Sequence, residues 1–183
     1  MMSDKRAELE QVYAQADCLY TLAEVEQALD RMADQINRDF ADKYPLVLGV
    51  MNGALSTLGY LLQRLPFLLE VDYLHATRYT GQLEGSDVVW KRYPEVSMEG
   101  RHILLVDDIL DRGITLAAIV QHCKAAGAAD VRIAVLTEKL LANNTPAIAA
   151  DYVALQVPDR YVFGYGMDYE DHWRNAPGIF ACK

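Results

Sequence analysis

One segment of the chain carries the strongest structural signal: Ile103-Leu104-Leu105-Val106-Asp107-Asp108-Ile109-Leu110-Asp111-Arg112-Gly113-Ile114-Thr115-Leu116. It opens with a short apolar run that is typical of a buried parallel strand, and the run ends at two adjacent carboxylates, Asp107 and Asp108. A turn through Asp111 and Gly113 then leads into the start of a helix. Open α/β folds bind ligands at the carboxyl edge of the sheet, so the segment predicts a binding site there.

The residue types of this turn favour a phosphate ligand accompanied by a divalent cation. A helix N-terminus offers unpaired N–H groups, Gly113 lets the backbone approach an anion closely, and Thr115 adds a hydroxyl donor. Carboxylates repel phosphate, so Asp107 and Asp108 are better suited to sugar hydroxyls or to Mg²⁺. The simpler interpretation is that the acids cap the helix and solvate a loop. The preceding strand and the following glycine and threonine favour the sugar-phosphate site.

Strands and helices alternate on both sides of this segment. Thr21 and Glu24 form a capping-box pattern ahead of a helix whose apolar stripe ends at Phe40. The alternation predicts an α/β fold with a mostly parallel, twisted sheet flanked by helices. Helices are predicted over 3–19, 22–40, 54–65 and 116–123, strands over 46–51, 67–77, 102–106, 131–137 and 152–157, and a mobile loop over 79–90.

The composition argues against several classes of partner. Of the 183 residues, 17 are basic and 26 acidic, and this formal charge of −9 is poorly suited to nucleic acids or anionic membranes. The uncharged stretch 44–63 could span a bilayer by length, but its proline, glycines and polar residues favour a strand, a turn and a short helix. Cys18, Cys123 and Cys182 form no CxxC pair, so a reducing cytoplasm is expected. The histidines show no metal-ligand spacing, and His75 is predicted to be a packing or surface residue.

The sequence resembles the phosphoribosyltransferases over Val106-Asp107-Asp108-Ile109-Leu110-Asp111-Arg112-Gly113-Ile114-Thr115. Their signature for 5-phosphoribosyl-1-diphosphate (PRPP) is a strand, two acids, two apolar residues and then Asp-x-Gly-x-Thr. Arg112 departs from the small hydroxyl residue that is common at its position, although arginine itself binds phosphate. The resemblance implies that PRPP is bound by Asp107, Asp108, Asp111, Arg112, Gly113, Ile114 and Thr115.

From about Ala7 to its end, the chain resembles the hypoxanthine-guanine branch of this family. That branch keeps, at a strand end, a lysine that recognises the exocyclic oxygen of a 6-oxopurine, and Lys139 occupies this place. The stretch 157–169 resembles the purine-binding hood, which implies that Tyr161 stacks on the base and that the Val162 backbone reads its edge. Taken alone, these residues could be a surface lysine and a packed aromatic cluster. The implied purine-binding residues are Lys139, Tyr161, Val162 and Asp168.

The stretch 49–54 occupies the place of the family's pyrophosphate loop. The resemblance implies a non-proline cis peptide bond between Met51 and Asn52, and Asn52 stands where several relatives carry a basic residue. A plain Asn-Gly turn is the simpler interpretation. Thr77-Arg78-Tyr79 begins the mobile loop that would close over the site, and Arg78 departs from the serine-tyrosine pair common there. The implied pyrophosphate-binding residues are Met51, Asn52, Gly53 and Arg174.

The resemblance as a whole implies a cytoplasmic purine-salvage enzyme that transfers phosphoribosyl from PRPP to hypoxanthine or guanine. It implies one domain, 1–183, with a core over about 40–157 and a hood formed by 158–183 with the N-terminal helices, 3–40. Asp111 is predicted to be the catalytic proton acceptor, near N7 of the purine. The expected partners are PRPP and a 6-oxopurine, with no nucleic acid and no membrane, in a homodimer or homotetramer. The implied Mg²⁺ ligands are Asp107, Asp108 and Asp168.

Two alternatives keep the same fold. The first is a phosphoribosyltransferase that prefers xanthine or a pyrimidine, because single residues around the hood tune the choice of base. The second is a regulator that senses PRPP or a nucleotide while it binds RNA. The charge of −9 and the lack of a basic face argue against the regulator.

Overall fold

The computed structural model of the protein describes residues 2–78, 88–142 and 145–183. Its helices are α1 (Met2–Gln15), α2 (Leu22–Phe40), α3 (Leu55–Leu62) and α4 (Ile114–Ala125). Its strands are β1 (Asp17–Thr21), β2 (Leu46–Val50), β3 (Glu70–Arg78), β4 (Val88–Arg92), β5 (His102–Leu110), β6 (Asp130–Leu140), β7 (Tyr152–Pro158), β8 (Val162–Phe163) and β9 (Gly178–Ala181).

The larger of two sheets contains six strands in the order β4-β3-β2-β5-β6-β7. Neighbouring strands are parallel from β3 to β7, and only β4, at the edge of this sheet, runs antiparallel to its neighbour β3. The predicted fold class, a mostly parallel sheet flanked by helices, is confirmed. Because β3, β2, β5 and β6 run in one direction, the residues that follow them emerge at one edge of the sheet.

Both faces of this sheet are buried, which explains why its central strands consist of continuous apolar runs. On β2, Val47 packs in the cluster that contains residues of α2 and α3, whereas Leu46 and Leu48 pack with residues of α4. The strand–turn–helix interpretation of 44–63 is confirmed by β2 and α3. In the described part of the chain no helix is both long and apolar enough to cross a bilayer.

A second, antiparallel sheet, in the order β1-β9-β8, joins the two ends of the chain. The prediction of one helix over 3–19 is wrong beyond Gln15, because Asp17–Thr21 pairs with Gly178–Ala181. Local periodicity does not reveal such a strand, since its partner lies at the opposite end of the chain. Phe163 of β8 is fully buried and its ring stacks on Phe180, with 5.7 Å between the ring centroids.

Two central strands are longer than predicted. β5 continues past 106 and β6 past 137, because the two strands pair with each other as far as Leu110 and Glu138. Both acids of the Asp107-Asp108 pair therefore lie within a strand and not just after it. This extension holds the two carboxylates on a rigid element.

The β3–β4 hairpin corrects a second prediction. The strand predicted over 67–77 begins only at Glu70, and the loop predicted over 79–90 is wrong at its end, where Val88–Arg92 forms β4. β4 is an edge strand that mixes apolar with basic residues, so its sequence resembles a loop. Residues 79–87 of the predicted loop lie outside the described residues.

The predicted capping box at the start of α2 is confirmed. The Thr21 side chain accepts a hydrogen bond from the Glu24 N–H, and the Glu24 carboxylate accepts one from the Thr21 N–H at 2.8 Å. We expect Thr21→Ala to lower the free energy of unfolding by about 1 kcal/mol, because the Glu24 N–H loses its acceptor and the reciprocal hydrogen bond from the Thr21 N–H to Glu24 is weakened. Urea unfolding measures the change. Thr21→Ser keeps the cap, and an equal loss in that variant would contradict this explanation.

Candidate active site

A cavity of about 810 Å³ lies at the carboxyl edge of the large sheet. Its walls come from the ends of β2, β3 and β5, from β4, from the start of α4 and from the loop after β8. We call it the large cavity. The predicted site residues that line it are Met51, Asn52, Gly53, Thr77, Asp107, Asp108, Asp111, Arg112, Gly113, Ile114, Thr115, Asp168 and Arg174.

Asp107 and Asp108 form a pair of adjacent carboxylates in the wall of the large cavity, Asp107 buried and Asp108 half-buried. The Asp108 N–H donates to Asp107 Oδ1 at 2.9 Å, and the buried Thr137 hydroxyl donates to the Asp108 carbonyl oxygen at 3.0 Å. Burial raises the pKa of Asp107 well above its usual range, and the charge of Asp108 acts in the same direction. Burial also raises the pKa of Asp108. A cation bound beside two adjacent carboxylates would favour their charged forms, because it opposes both the desolvation and their mutual repulsion.

The loop after β2 approaches this acidic pair closely at Gly53. The peptide bond between Met51 and Asn52 is cis, as the resemblance implied. A methyl group added to Gly53 would overlap the Asp108 carboxylate, with even the farther oxygen, Oδ1, only 2.9 Å away. On the other side of this backbone, a methyl group added to Gly166 would collide with the Gly53 carbonyl oxygen. Glycine at both positions therefore lets three segments of the chain meet at the site.

The turn from β5 into α4 has the geometry of an anion site. Gly113, at the N-cap of α4, has φ +72°, a left-handed conformation that favours glycine. No side chain caps the helix, so the first N–H groups of α4 have no side-chain acceptor and face the large cavity that Ile114 and Thr115 line. The Arg112 carbonyl accepts a hydrogen bond from the Ala147 N–H at 2.9 Å, and this bond helps to hold the turn in place.

A smaller pocket of about 180 Å³ adjoins the large cavity, and we call it the small pocket. Its lining includes Lys139 at the end of β6 and Tyr161, Val162 and Met167 of the hood. The Lys139 ammonium lies 3.4 Å from Asp111 Oδ2 and 3.8 Å from an Asp159 carboxylate oxygen. The two spaces share four residues, so one ligand can extend from the first into the second. The shared residues are Asp108, Ile109, Asp111 and Asp168.

The hood presents an aromatic ring and free backbone groups to the small pocket. Tyr161 is 52% exposed, and its ring meets Tyr169 edge-on at 5.4 Å. The Tyr161 carbonyl accepts a hydrogen bond from the Cys182 N–H next to β9. Because backbone groups alternate sides along an antiparallel strand, the Val162 N–H and C=O point away from β9 and are open to a ligand.

Arg174 ties the hood to the large cavity. Its guanidinium pairs with Asp168 at 2.8 Å and also donates to the Gly166 carbonyl oxygen at 2.8 Å. The positive charge of Arg174 reaches Asp108, where it opposes the rise in the pKa of that carboxyl. Arg174 is therefore held between the acids of the site and the space in front of the loop after β2.

The acids of the large cavity fit a divalent cation that arrives with a phosphate ligand. Among the described residues, no three His, Cys, Asp or Glu side chains gather into a cluster that would hold a metal alone. Mg²⁺ is usually held by one or two carboxylates together with water and substrate phosphates, so it needs no such cluster. The Asp107-Asp108 pair offers carboxylate oxygens to a metal ion, and Asp168 offers a further carboxylate nearby.

Most predicted site residues that the structure describes meet in these two spaces. Tyr79 lies outside the described residues, and so does the side chain of Arg78. The residues of the large cavity that were missed include Lys91 of β4, and His75 of β3, for which the sequence favoured packing or surface exposure. Their position depends on how β3 pairs with β4, and the sequence shows no signal for that register.

The fold and this strand–turn–helix site are those of a transferase that uses PRPP. Residues 15–171 match the family described as phosphoribosyl transferase domain, and the chain belongs to the phosphoribosyltransferase family. The hypoxanthine-guanine phosphoribosyltransferase of Bacillus subtilis (strain 168) is 31% identical over 161 residues, which are 87% of this chain and 89% of the relative.

Other relatives belong to the same branch. The hypoxanthine-guanine-xanthine phosphoribosyltransferase of Tritrichomonas foetus is 29% identical and covers 90% of both chains. A crystal structure of a hypoxanthine phosphoribosyltransferase from Staphylococcus aureus superposes with a TM-score of 0.86 at 27% identity, over 93% of this chain and 94% of that one. The resemblance to the hypoxanthine-guanine branch is confirmed.

Proposed function

We propose that the protein transfers the phosphoribosyl group of PRPP to hypoxanthine or guanine and releases pyrophosphate. The observation that carries the proposal is the continuity of the two spaces. The large cavity joins acids, a phosphate-binding turn and the loop after β2, and it opens into a pocket with a lysine and an exposed tyrosine. The first space suits a sugar that carries a phosphate and a diphosphate, and the second suits a purine.

The 5-phosphate of PRPP would bind at the start of α4. Gly113 allows the close approach, and the free N–H groups of Ile114 and Thr115, the Thr115 hydroxyl and Arg112 supply hydrogen bonds and charge. The carboxylates of Asp107 and Asp108 would accept hydrogen bonds from the ribose hydroxyls, because they lie in the cavity wall on β5. These contacts orient the ribose for attack at its anomeric carbon.

The diphosphate of PRPP would lie in front of the loop after β2. Met51, Asn52 and Gly53 line this part of the cavity, and Arg174 reaches it from the hood. The positive charge of Arg174 stabilises the negative charge that grows on the leaving pyrophosphate. Mg²⁺, held by Asp107, Asp108 and Asp168 together with PRPP oxygens, would neutralise further charge on that leaving group.

The base would occupy the small pocket, with Tyr161 against its face. Lys139 donates to the exocyclic oxygen of a 6-oxopurine, and the Val162 backbone meets the edge of the base. Asp111 lies in both spaces and accepts the proton from N7 while N9 forms its bond to the ribose. The bond between the anomeric carbon of the ribose and the pyrophosphate oxygen breaks in the same step.

We expect Tyr161→Ala to weaken hypoxanthine binding by roughly ten- to a hundredfold, because base–aromatic stacking contributes about 1–3 kcal/mol. The KM for hypoxanthine at saturating PRPP measures this loss. Tyr161→Phe keeps the ring and should retain the wild-type KM within about threefold. An unchanged KM in the alanine variant would remove Tyr161 from the base site.

A panel of bases tests the proposed reaction. The protein is incubated with PRPP and Mg²⁺ and, separately, with hypoxanthine, guanine, xanthine, adenine or uracil, and nucleotides are detected by chromatography. IMP and GMP are the expected products. Nucleotide formed only from xanthine or uracil would keep the PRPP site and overturn the assignment of hypoxanthine and guanine as the substrates. Bound RNA in a gel-shift assay, without any nucleotide formed, would favour the regulator.

The assembly and location of the protein stay predictions. The resemblance implies a homodimer or homotetramer, which sedimentation analysis would test. Cys18, Cys123 and Cys182 are free thiols, and the reducing cytoplasm stays the expected location.

A further inference from the structure

The β3–β4 side of the large cavity contains a β-bulge at Lys91. Ala76 of β3 pairs with Trp90 of β4, and His75 pairs with Arg92, so Lys91 is an extra residue between two pairs. Bulges often change the direction of a side chain and are common beside active sites. Here the bulged residue, Lys91, lines the large cavity together with His75.

Lys91 keeps its charge available to a ligand. Within residues 2–78, 88–142 and 145–183, no carboxylate lies within 4.0 Å of the Lys91 ammonium.

The neighbouring basic residue on β4 is engaged elsewhere. The Arg92 guanidinium pairs with Asp72 at 3.0 Å and lies over the Tyr73 ring, 3.7 Å from its centroid. Lys91 is therefore the basic side chain that β4 contributes to the large cavity. The charges of Lys91 and Arg174 both reach His75, where they add to the effect of burial in lowering its pKa. Two cations thus flank the part of the cavity beside His75.

This end of the cavity needs positive charge if it holds a diphosphate. The stretch 49–54 contains no charged residue, and Arg174 is already paired with Asp168 at 2.8 Å. Across the sheet, β6 with the small pocket is followed by β5 with its acids, then by β2, β3 and finally β4. A ligand with its base at β6 and its ribose at β5 has its diphosphate towards β2 and β4.

We propose that Lys91 binds the diphosphate group of PRPP and the released pyrophosphate, and so supplies the charge that Asn52 does not. The inference rests on the proposed function, because it takes the large cavity to be the PRPP site. Lys91 would contact the diphosphate but neither the 5-phosphate nor the base, since those groups lie at β5 and β6.

Calorimetry on the whole chain tests this assignment. Lys91→Met should raise the Kd of pyrophosphate, measured with Mg²⁺, by at least about tenfold, because a hydrogen-bonded charge pair is lost. The Kd of IMP should stay within about twofold of wild type, since IMP lacks the diphosphate. Lys124→Met, which removes an exposed lysine of α4 outside the cavity, should leave both values unchanged.

Two results would overturn the inference: an unchanged Kd for pyrophosphate in Lys91→Met, or an equal loss of pyrophosphate and IMP affinity, which indicates a structural role. Lys91→Gln provides the same comparison if the methionine variant melts at a lower temperature. If the wild-type protein forms nucleotide and the Kd of pyrophosphate is unchanged in Lys91→Met, only this inference is refuted. Wild-type protein that binds pyrophosphate but forms no nucleotide refutes the proposed function instead.

Discussion

Asp111→Asn is expected to lower kcat by about 10²–10⁴-fold while changing the Kd of PRPP by less than about threefold. Asp111 lines both the large cavity and the small pocket, so in the proposed complex its carboxylate would lie between the ribose and the base. The amide keeps the size of the side chain but cannot accept a full proton from N7. Single-turnover kinetics and PRPP titration separate the two quantities.

The nearby Asp159 provides a matched control. Both carboxylates lie near the Lys139 ammonium, at 3.4 Å for Asp111 and 3.8 Å for Asp159, but only Asp111 lines the two binding spaces. Asp159→Asn therefore removes a partner of Lys139 without removing the proton acceptor, and it should retain kcat within about threefold. Equal losses of turnover and PRPP affinity in Asp111→Asn would count against the catalytic assignment.

Gly53→Ala is expected to raise the KM for PRPP by roughly 100-fold, because small misplacements of binding groups are costly. The added methyl group overlaps the Asp108 carboxylate, and the Gly53 backbone cannot retreat because Gly166 packs against its carbonyl. Asp108 must then move from its place in the cavity wall. Initial-rate kinetics measure the KM, and a thermal melt establishes that the variant is folded.

Gly59→Ala is the control for this substitution. Gly59 lies within α3, and a methyl group added there meets no atom within 4 Å. Alanine is also the better helix former by about 1 kcal/mol, so this variant should be fully active and slightly more stable. A Gly53→Ala variant with wild-type kinetics would show that the contact with Asp108 does not position the acid.

The features that the sequence predicts well are those set by residues close together in the chain. The strand before Asp107, the left-handed turn at Gly113 and the helix after it follow one another within 103–116, so their pattern is complete in one segment. The capping box at Thr21 and Glu24 is local in the same way. The family resemblance then relates the hood residues to this segment.

The features that it misses depend on contacts between distant segments. β1 exists because it pairs with β9 at the other end of the chain, and its five residues show no strong alternation. Lys91 and His75 enter the cavity through the bulged register of β3 and β4. A lysine in a mixed segment gives no sign of such a register, so only the structure places it at the site.

The most direct measurement is the joint formation of pyrophosphate and IMP from PRPP and hypoxanthine with Mg²⁺. We expect equal amounts of the two products, and the loss of both on addition of EDTA. Folded protein that forms neither product, or that releases pyrophosphate without IMP, would contradict the assignment of these two spaces to PRPP and a purine.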